Sequence, residues 1–129
     1  MAKYSHADFL DGGFTYFKAN VNSMRLLKAY AAGDSYATVN ATNTICSVAV
    51  ATGDFTLTGA DIAARVMTSA TKSEPASAST VGTPDLHIAF VDTVNSKVLW
   101  VTDETSDQSV TSGNTVNFPA LTYTSGQPT

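Results

Sequence analysis

The side chains best suited to chemistry in this chain are two histidines, one cysteine and a scattering of carboxylates. His87 lies between Asp85 and Asp92 in sequence, and His6 lies close to the N-terminus. A Ser-His-Asp site needs one imidazole held by a carboxylate and set beside a nucleophilic hydroxyl. With 13 serines in the chain, proximity in sequence selects none of them. No Gly-x-Ser-x-Gly elbow occurs, so His87 reads as a strand-edge histidine and no catalytic residue is expected. Metal ligation has equally little support: there is no cysteine pair, no His pair at i, i+4 and no EF-hand loop. Asp103, Glu104 and Asp107 place three carboxylates within five positions. They are suited to a hard cation, but without a glycine turn they read as a solvated acidic loop. Gly53 to Gly59, GDFTLTG, lacks the Lys-Ser/Thr partner of a phosphate loop and reads as a turn and short strand. Asp54 and Asp61 are an arbitrary pair for glycoside chemistry. Cys46 cannot form an intrachain disulfide and reads as a small buried hydrophobe, since no base lies beside it. Neither a metal nor a cofactor is expected.

Arg65 differs in kind. It begins an apolar β stretch, RVM, in a chain with only seven Lys and Arg. It is suited to pairing a carboxylate or capping carbonyls, and a partner contact is the alternative.

The elements that must position these residues are mostly strands. Residues 5–21, SHADFLDGGFTYFKANV, predict one helix: Leu10, Phe14, Phe17 and Val21 recur at i, i+4, i+7 and i+11. Ser5 with Asp8 matches a capping box. Gly12 and Gly13 weaken the helix by about 1 kcal/mol each, which suggests close packing of another backbone or a flexible break. Strands are predicted at 24–31, 45–51, 65–72 and 115–124, with a short strand or loop near Phe55 and a strand edge or loop at 36–43. Residues 73–84 read as a loop, and Pro119 marks an edge strand or bulge. The tail, 125–129, is expected to be mobile.

The hairpin HIAFVDTVNSKVLWV, 87–101, is apolar on both faces. Leu86, Ile88 and Phe90 point one way; Ala89 and Val91 point the other. On the return, Val98 and Trp100 oppose Leu99 and Val101. Phe90 and Trp100 are expected to fill the core. The second face needs a cover from the helix, a second sheet or a neighbouring subunit.

At 129 residues the chain is expected to be a single domain, 1–129, with one core. Its 19 Thr and 13 Ser outnumber its 18 charged residues, a balance that favours sheet and close neighbours. The fold expected is α+β and mainly β: an N-terminal helix packed on a small antiparallel β-sandwich or partly open barrel. A net charge of −4 with scattered cations argues against direct nucleic-acid binding. No leader segment and no apolar run of ~18 residues is visible, so synthesis in a cytoplasm without membrane insertion is expected.

The ordered segments YSHADFLDGGFTYFKANVNSMRLL, GDFTLTGADIAARV, HIAFVDTVNSKVLWVTD and SGNTVNFP resemble small head-associated structural proteins of tailed bacteriophages. The resemblance runs over nearly the whole chain, departing where the family pattern has Gly-Arg and this chain has Ala64-Arg65. It implies a non-enzymatic capsid decoration (cement) protein on the virion exterior, made in the host cytoplasm. The implied partners are the major capsid protein and further copies of itself, with a homotrimer favoured and a dimer as the alternative. Candidate interface residues are Lys3, Tyr4, Arg65, Trp100 and Tyr123. A neck, tail or fibre-associated module and a host-surface glycan-binding module are the alternative readings of the same composition.

Overall fold

The computed structural model describes residues 4–60, 63–104 and 106–127. The fold is α+β and mainly β, with every strand pair antiparallel. Its elements in order are α1 (Ala7–Leu10), α2 (Gly12–Asn20), β1 (Ser23–Leu27), β2 (Thr44–Ala49), β3 (Phe55–Thr58), β4 (Arg65–Ser69), β5 (Lys72–Pro75), β6 (His87–Asp92), β7 (Lys97–Asp103), β8 (Thr115–Phe118) and β9 (Thr122–Ser125). They form three open sheets, ordered β2-β1-β6-β7, β3-β4-β9 and β5-β8, and no barrel closes among the described residues. No helix among them is long and apolar enough to cross a membrane.

Contacts divide the chain into two compact units built from interleaved segments. The first comprises residues 1–20, 51–71 and 119–129 and carries both helices and the sheet β3-β4-β9. Here the helical stripe meets the sheet through aromatic edges. Phe17 lies edge-on to Phe55 at 5.0 Å, and Phe14 lies edge-on to Tyr123 at 6.0 Å. Such T-shaped pairs add about 0.5–1.5 kcal/mol each beyond the area they bury.

The expected helix over 5–21 is interrupted at Asp11, which separates α1 from α2. Backbone bonds from Thr15 N–H to the Asp11 carbonyl and from Asp11 N–H to the Ala7 carbonyl, 2.7 and 2.8 Å, carry the chain through the break. The glycine pair is not explained by a close backbone, because a Cβ at Gly12 or Gly13 would meet nothing within 4 Å. Nor does Ser5 cap the helix: the Asp8 N–H donates to Nδ1 of His6 at 3.1 Å, while the Ser5 N–H donates to Gln127 Oε1 at 2.8 Å. The tail expected to be mobile therefore begins inside β9 and is tied down at Gln127; Pro128 and Thr129 lie outside the described residues.

The second unit comprises residues 21–50 and 72–118. It answers the question of the two-faced hairpin. Cross-strand partners share a face, so Phe90 stands with Met24, Val48 and Trp100, while Val91 stands with Ser23, Ala49 and Val98. Alternation along β7 would put Val98 and Trp100 on the same face. Leu99 prevents this, because the register steps from Phe90↔Trp100 to Val91↔Val98 and leaves Leu99 as an extra, bulged residue. On one face Trp100 stacks flat on Phe90, with ring centroids 4.8 Å apart. On the other, Leu27, Ala89 and Val91 are buried with Val39, and Tyr30, Tyr36, Val98 and Val101 pack around them. The cover is thus the excursion between β1 and β2.

That excursion was legible only as a strand edge or loop. It is helical instead, ending in a π-type turn over Thr38–Thr42. Ser35 starts it, accepting the Thr38 N–H on Oγ at 3.2 Å and the Val39 N–H on its carbonyl at 3.0 Å; Asn43 N–H closes it onto the Thr38 carbonyl at 3.0 Å. The purpose of the turn is to drive Val39 into the sheet. The predicted strand 65–72 ends at Ser69, and the predicted loop 73–84 begins with β5, whose Lys72 to Pro75 pair with β8. The predicted strand 115–124 divides at Pro119, which has no N–H to give a ladder.

Val39→Ala should lower unfolding free energy by about 2 kcal/mol in urea titration, since it opens a hole under a two-sided strand. Val94→Ala, on the exposed hairpin tip, should change it by less than about 0.5 kcal/mol. Equal effects would contradict the packing described.

Candidate functional site

Arg65 occupies the best-built polar site in the first unit. Its Nε donates to Asp11 Oδ1 at 2.8 Å and its Nη2 to Asp11 Oδ2 at 3.0 Å, a bidentate pair in which each side chain is 17% exposed. Nη1 donates to the carbonyl of Gly59. The planar fork of a guanidinium suits this use, and a lysine could not reproduce it. The receiving loop is specialised. Gly59 has φ of +112°, and a Cβ there would collide with the Ala64 carbonyl oxygen. Arg65 thus clamps the break between α1 and α2 to the first residue of β4, as the carboxylate-pairing reading expected.

The other candidate interface residues are dispersed. Tyr123 shares a sheet face with Arg65 through the Met67↔Tyr123 and Arg65↔Ser125 pairs, and it is 49% exposed. Tyr4 is 53% exposed, next to Ser5, which is held by Gln127. Lys3 lies outside the described residues. Trp100 belongs to the second unit and is half-buried on Phe90, so its ring serves the core more than the surface.

The chemistry-bearing residues of the second unit are regrouped by the fold. The acidic triplet does not converge on a point. Asp107 Oδ1 accepts the Leu86 N–H at 2.7 Å, Glu104 Oε1 accepts the Ser106 N–H at 3.1 Å, and Asp103 faces His87 instead. Asp103 is the cross-strand partner of His87, a juxtaposition that only the β6–β7 register reveals. Asp92, considered as a partner for His87, is buried at the far end of β6 and shapes the hairpin turn. Its Oδ1 accepts the N–H groups of Val94 and Asn95 at 3.0 and 3.1 Å, and its Oδ2 accepts Asn95 Nδ2 at 2.7 Å. The Asn95 side-chain bond is the largest of the influences that hold the Asp92 carboxyl below its ordinary value, with the two backbone N–H groups and Lys97 adding to it against the cost of burial. The turn closes through Ser96, the only non-glycine with positive φ among the described residues, at 56°.

Cys46 is fully buried, with Sγ 3.5 Å from the Glu74 carbonyl oxygen and 3.7 Å from that of Pro75. Burial, then the charge of Glu74, push its thiol up, which disfavours the thiolate that nucleophilic or redox chemistry requires. No family model matches this chain, and neither the curated proteins nor the solved structures contain a match to it.

Two outcomes follow. A double-mutant cycle with Asp11→Ala and Arg65→Ala should give a coupling of about 1–3 kcal/mol, and strictly additive losses would contradict the clamp. For Asp92 the native value is depressed, so its contribution is complete above the unfolded carboxyl range near pH ~4 and is lost as pH falls through the lower native value. The denaturation midpoint of Asp92→Asn should therefore depend less on pH below ~4 than that of the wild type; parallel profiles would contradict this.

Proposed function

We propose that this chain is a non-enzymatic virion structural protein that binds the outer surface of a tailed-phage head and stabilises its lattice. Its partners in this reading are the major capsid protein and other copies of itself, as a trimer in preference to a dimer. The observation that carries the reading is the series of segments resembling head-associated phage proteins, from SHADFLD through HIAFVDTVNSKVLWVTD to SGNTVNFP.

The physical character of the chain supports it. A lattice-bound clamp works by repeated contact, and contact is favoured where few charges must be desolvated. Thr and Ser outnumber charged residues here, and exposed apolar groups stand on loop tips, at Val81 and Val94, and on the first unit, at Tyr4, Tyr16 and Tyr123. Several strands also lie at sheet edges, β7 in one sheet and β3 and β9 in another, where a partner strand could add by backbone hydrogen bonds. An interface of the standard ~1,600 Å² per contact, multiplied over a shell, stabilises the shell without any reaction.

Heads purified without this protein should bind it saturably, at hundreds of copies each, and should then withstand higher temperature before releasing DNA. Tyr4→Ala should weaken that binding while leaving the melting of the free protein unchanged. Saturation at six or twelve copies would move the protein to the neck, and no binding would remove the proposal.

A further inference from the structure

We propose that Asp85, His87 and Asp103 form a binding site for one divalent transition-metal ion, of the Zn²⁺ class, at the open end of the β6–β7 pair. The placement follows from sheet geometry. Asp85 and His87 are two residues apart at the entry to β6, and Asp103 is the direct cross-strand partner of His87. One ligand atom from each of the three lies within 4.8 Å of the others.

The orientation of the imidazole makes the case more than the proximity does. Nδ1 of His87 sits 3.2 Å from the Asp85 backbone carbonyl oxygen, which can only accept. A hydrogen bond there puts a proton on Nδ1, and in the neutral ring that tautomer leaves the Nε2 lone pair facing outward. This is the arrangement by which a backbone carbonyl commonly orients a metal-binding histidine. What Nε2 then faces is another acceptor, Asp103 Oδ1, at 3.6 Å. Two acceptors at this separation do not bond to one another. They stand close to the distance between two ligands of a tetrahedral ion, about 3.3–3.4 Å for bonds of ~2.0–2.1 Å. Asp85 Oδ1 lies 3.9 Å from Nδ1, the other ring nitrogen, so the exposed Asp85 side chain has to swing toward Nε2 to complete the set.

Charge and mobility fit the assignment. Two carboxylates and a neutral imidazole carry two negative charges, matched by a divalent ion. The His87 ring lies within 4 Å of both carboxylates. The ring is the fixed part: its side chain is 16% exposed and it packs against Tyr30, with centroids 5.7 Å apart. The carboxylates are the adjustable part, 68% and 62% exposed: Asp103 has a few tenths of an ångström to close, and Asp85 has further to move. An imidazole ligand favours Zn²⁺ over Ca²⁺ and Mg²⁺, which prefer all-oxygen shells, and a three-residue set leaves a position for water. His6 provides an internal contrast. Its ring is exposed, its Nδ1 is occupied by the Asp8 N–H, and it has one carboxylate neighbour.

The full chain should be titrated with ZnCl₂ near neutral pH by calorimetry, with melting curves and histidine ¹⁵N spectra alongside. One ion should bind per chain, the melting temperature should rise, and the His87 Nε2 resonance should move while that of His6 does not. His87→Gln and Asp103→Asn should each weaken binding at least ~10-fold, and His6→Gln should leave it unchanged. Ca²⁺ and Mg²⁺ at the same concentrations should not shift the melting temperature. The site is overturned if Zn²⁺ gives no binding heat, if binding survives His87→Gln, or if the His87 resonance does not respond. That last reading uses the wild-type protein, so it decides the question even where a variant fails to fold.

Discussion

The second unit depends on one constraint: β6 is buried on both faces. A strand in that position needs partners above and below as well as at its sides. Its neighbours β1 and β7 supply the ladder, and Phe90 with Trp100 and Met24 fills one face. The other face is closed by the chain itself, which leaves β1, makes a helical excursion and presses Val39, Tyr30 and Tyr36 onto Leu27, Ala89 and Val91 before returning as β2. The Leu99 bulge is part of the same solution. Without it, Val98 would leave the face it now completes, and the apolar set of β7 would no longer match that of β6. The two ends of β6 have different fates. At one, Asp92 folds its carboxylate into the hairpin turn; at the other, His87 and its two aspartates are left at the sheet margin.

The first unit is organised by a polar contact. Its sheet has only three strands and its helices are short, so aromatic packing alone leaves the α1–α2 break without support. The Arg65–Asp11 fork ties that break to β4, and the third nitrogen of the guanidinium reaches the carbonyl of Gly59. The glycine is required twice over, by its backbone angle and by the carbonyl of Ala64 that occupies the space of a side chain.

Much of this was legible in the residue pattern. The apolar spacing of Leu10, Phe14, Phe17 and Val21 marks residues that are all buried, and alternating stretches mark the central strands. The two-sided hairpin announced that a cover was needed. What the pattern could not supply was information carried by register or by distant partners. The Leu99 bulge is invisible because it exists only relative to β6. The helical cover over 36–43 is hidden by Thr and Asn, residues that disfavour helix interiors, although Ser35 supplies a cap at its start. Asp8 is capped by a histidine, where the sequence suggested Ser5, and the Ser5 backbone is held by Gln127, 122 positions away. The same limit governs the candidate site. Asp85 and Asp92 are the obvious neighbours of His87 by number, yet Asp103 is its neighbour in space, and Asp92 is sequestered in a turn.

On the proposed reading this molecule is a device for contact: low in charge and rich in hydroxyls, with Cys46 buried and Asp92 and Asp11 committed to structure. An exposed tyrosine or a free sheet edge then matters for what it touches. The most direct measurement is a cryo-electron microscopy reconstruction of the intact phage particle with the shell resolved to side chains. The account predicts density for this chain on the outside of the head, repeated over the lattice at two-fold or three-fold positions. A fully resolved shell with no such density on its outer surface would contradict it.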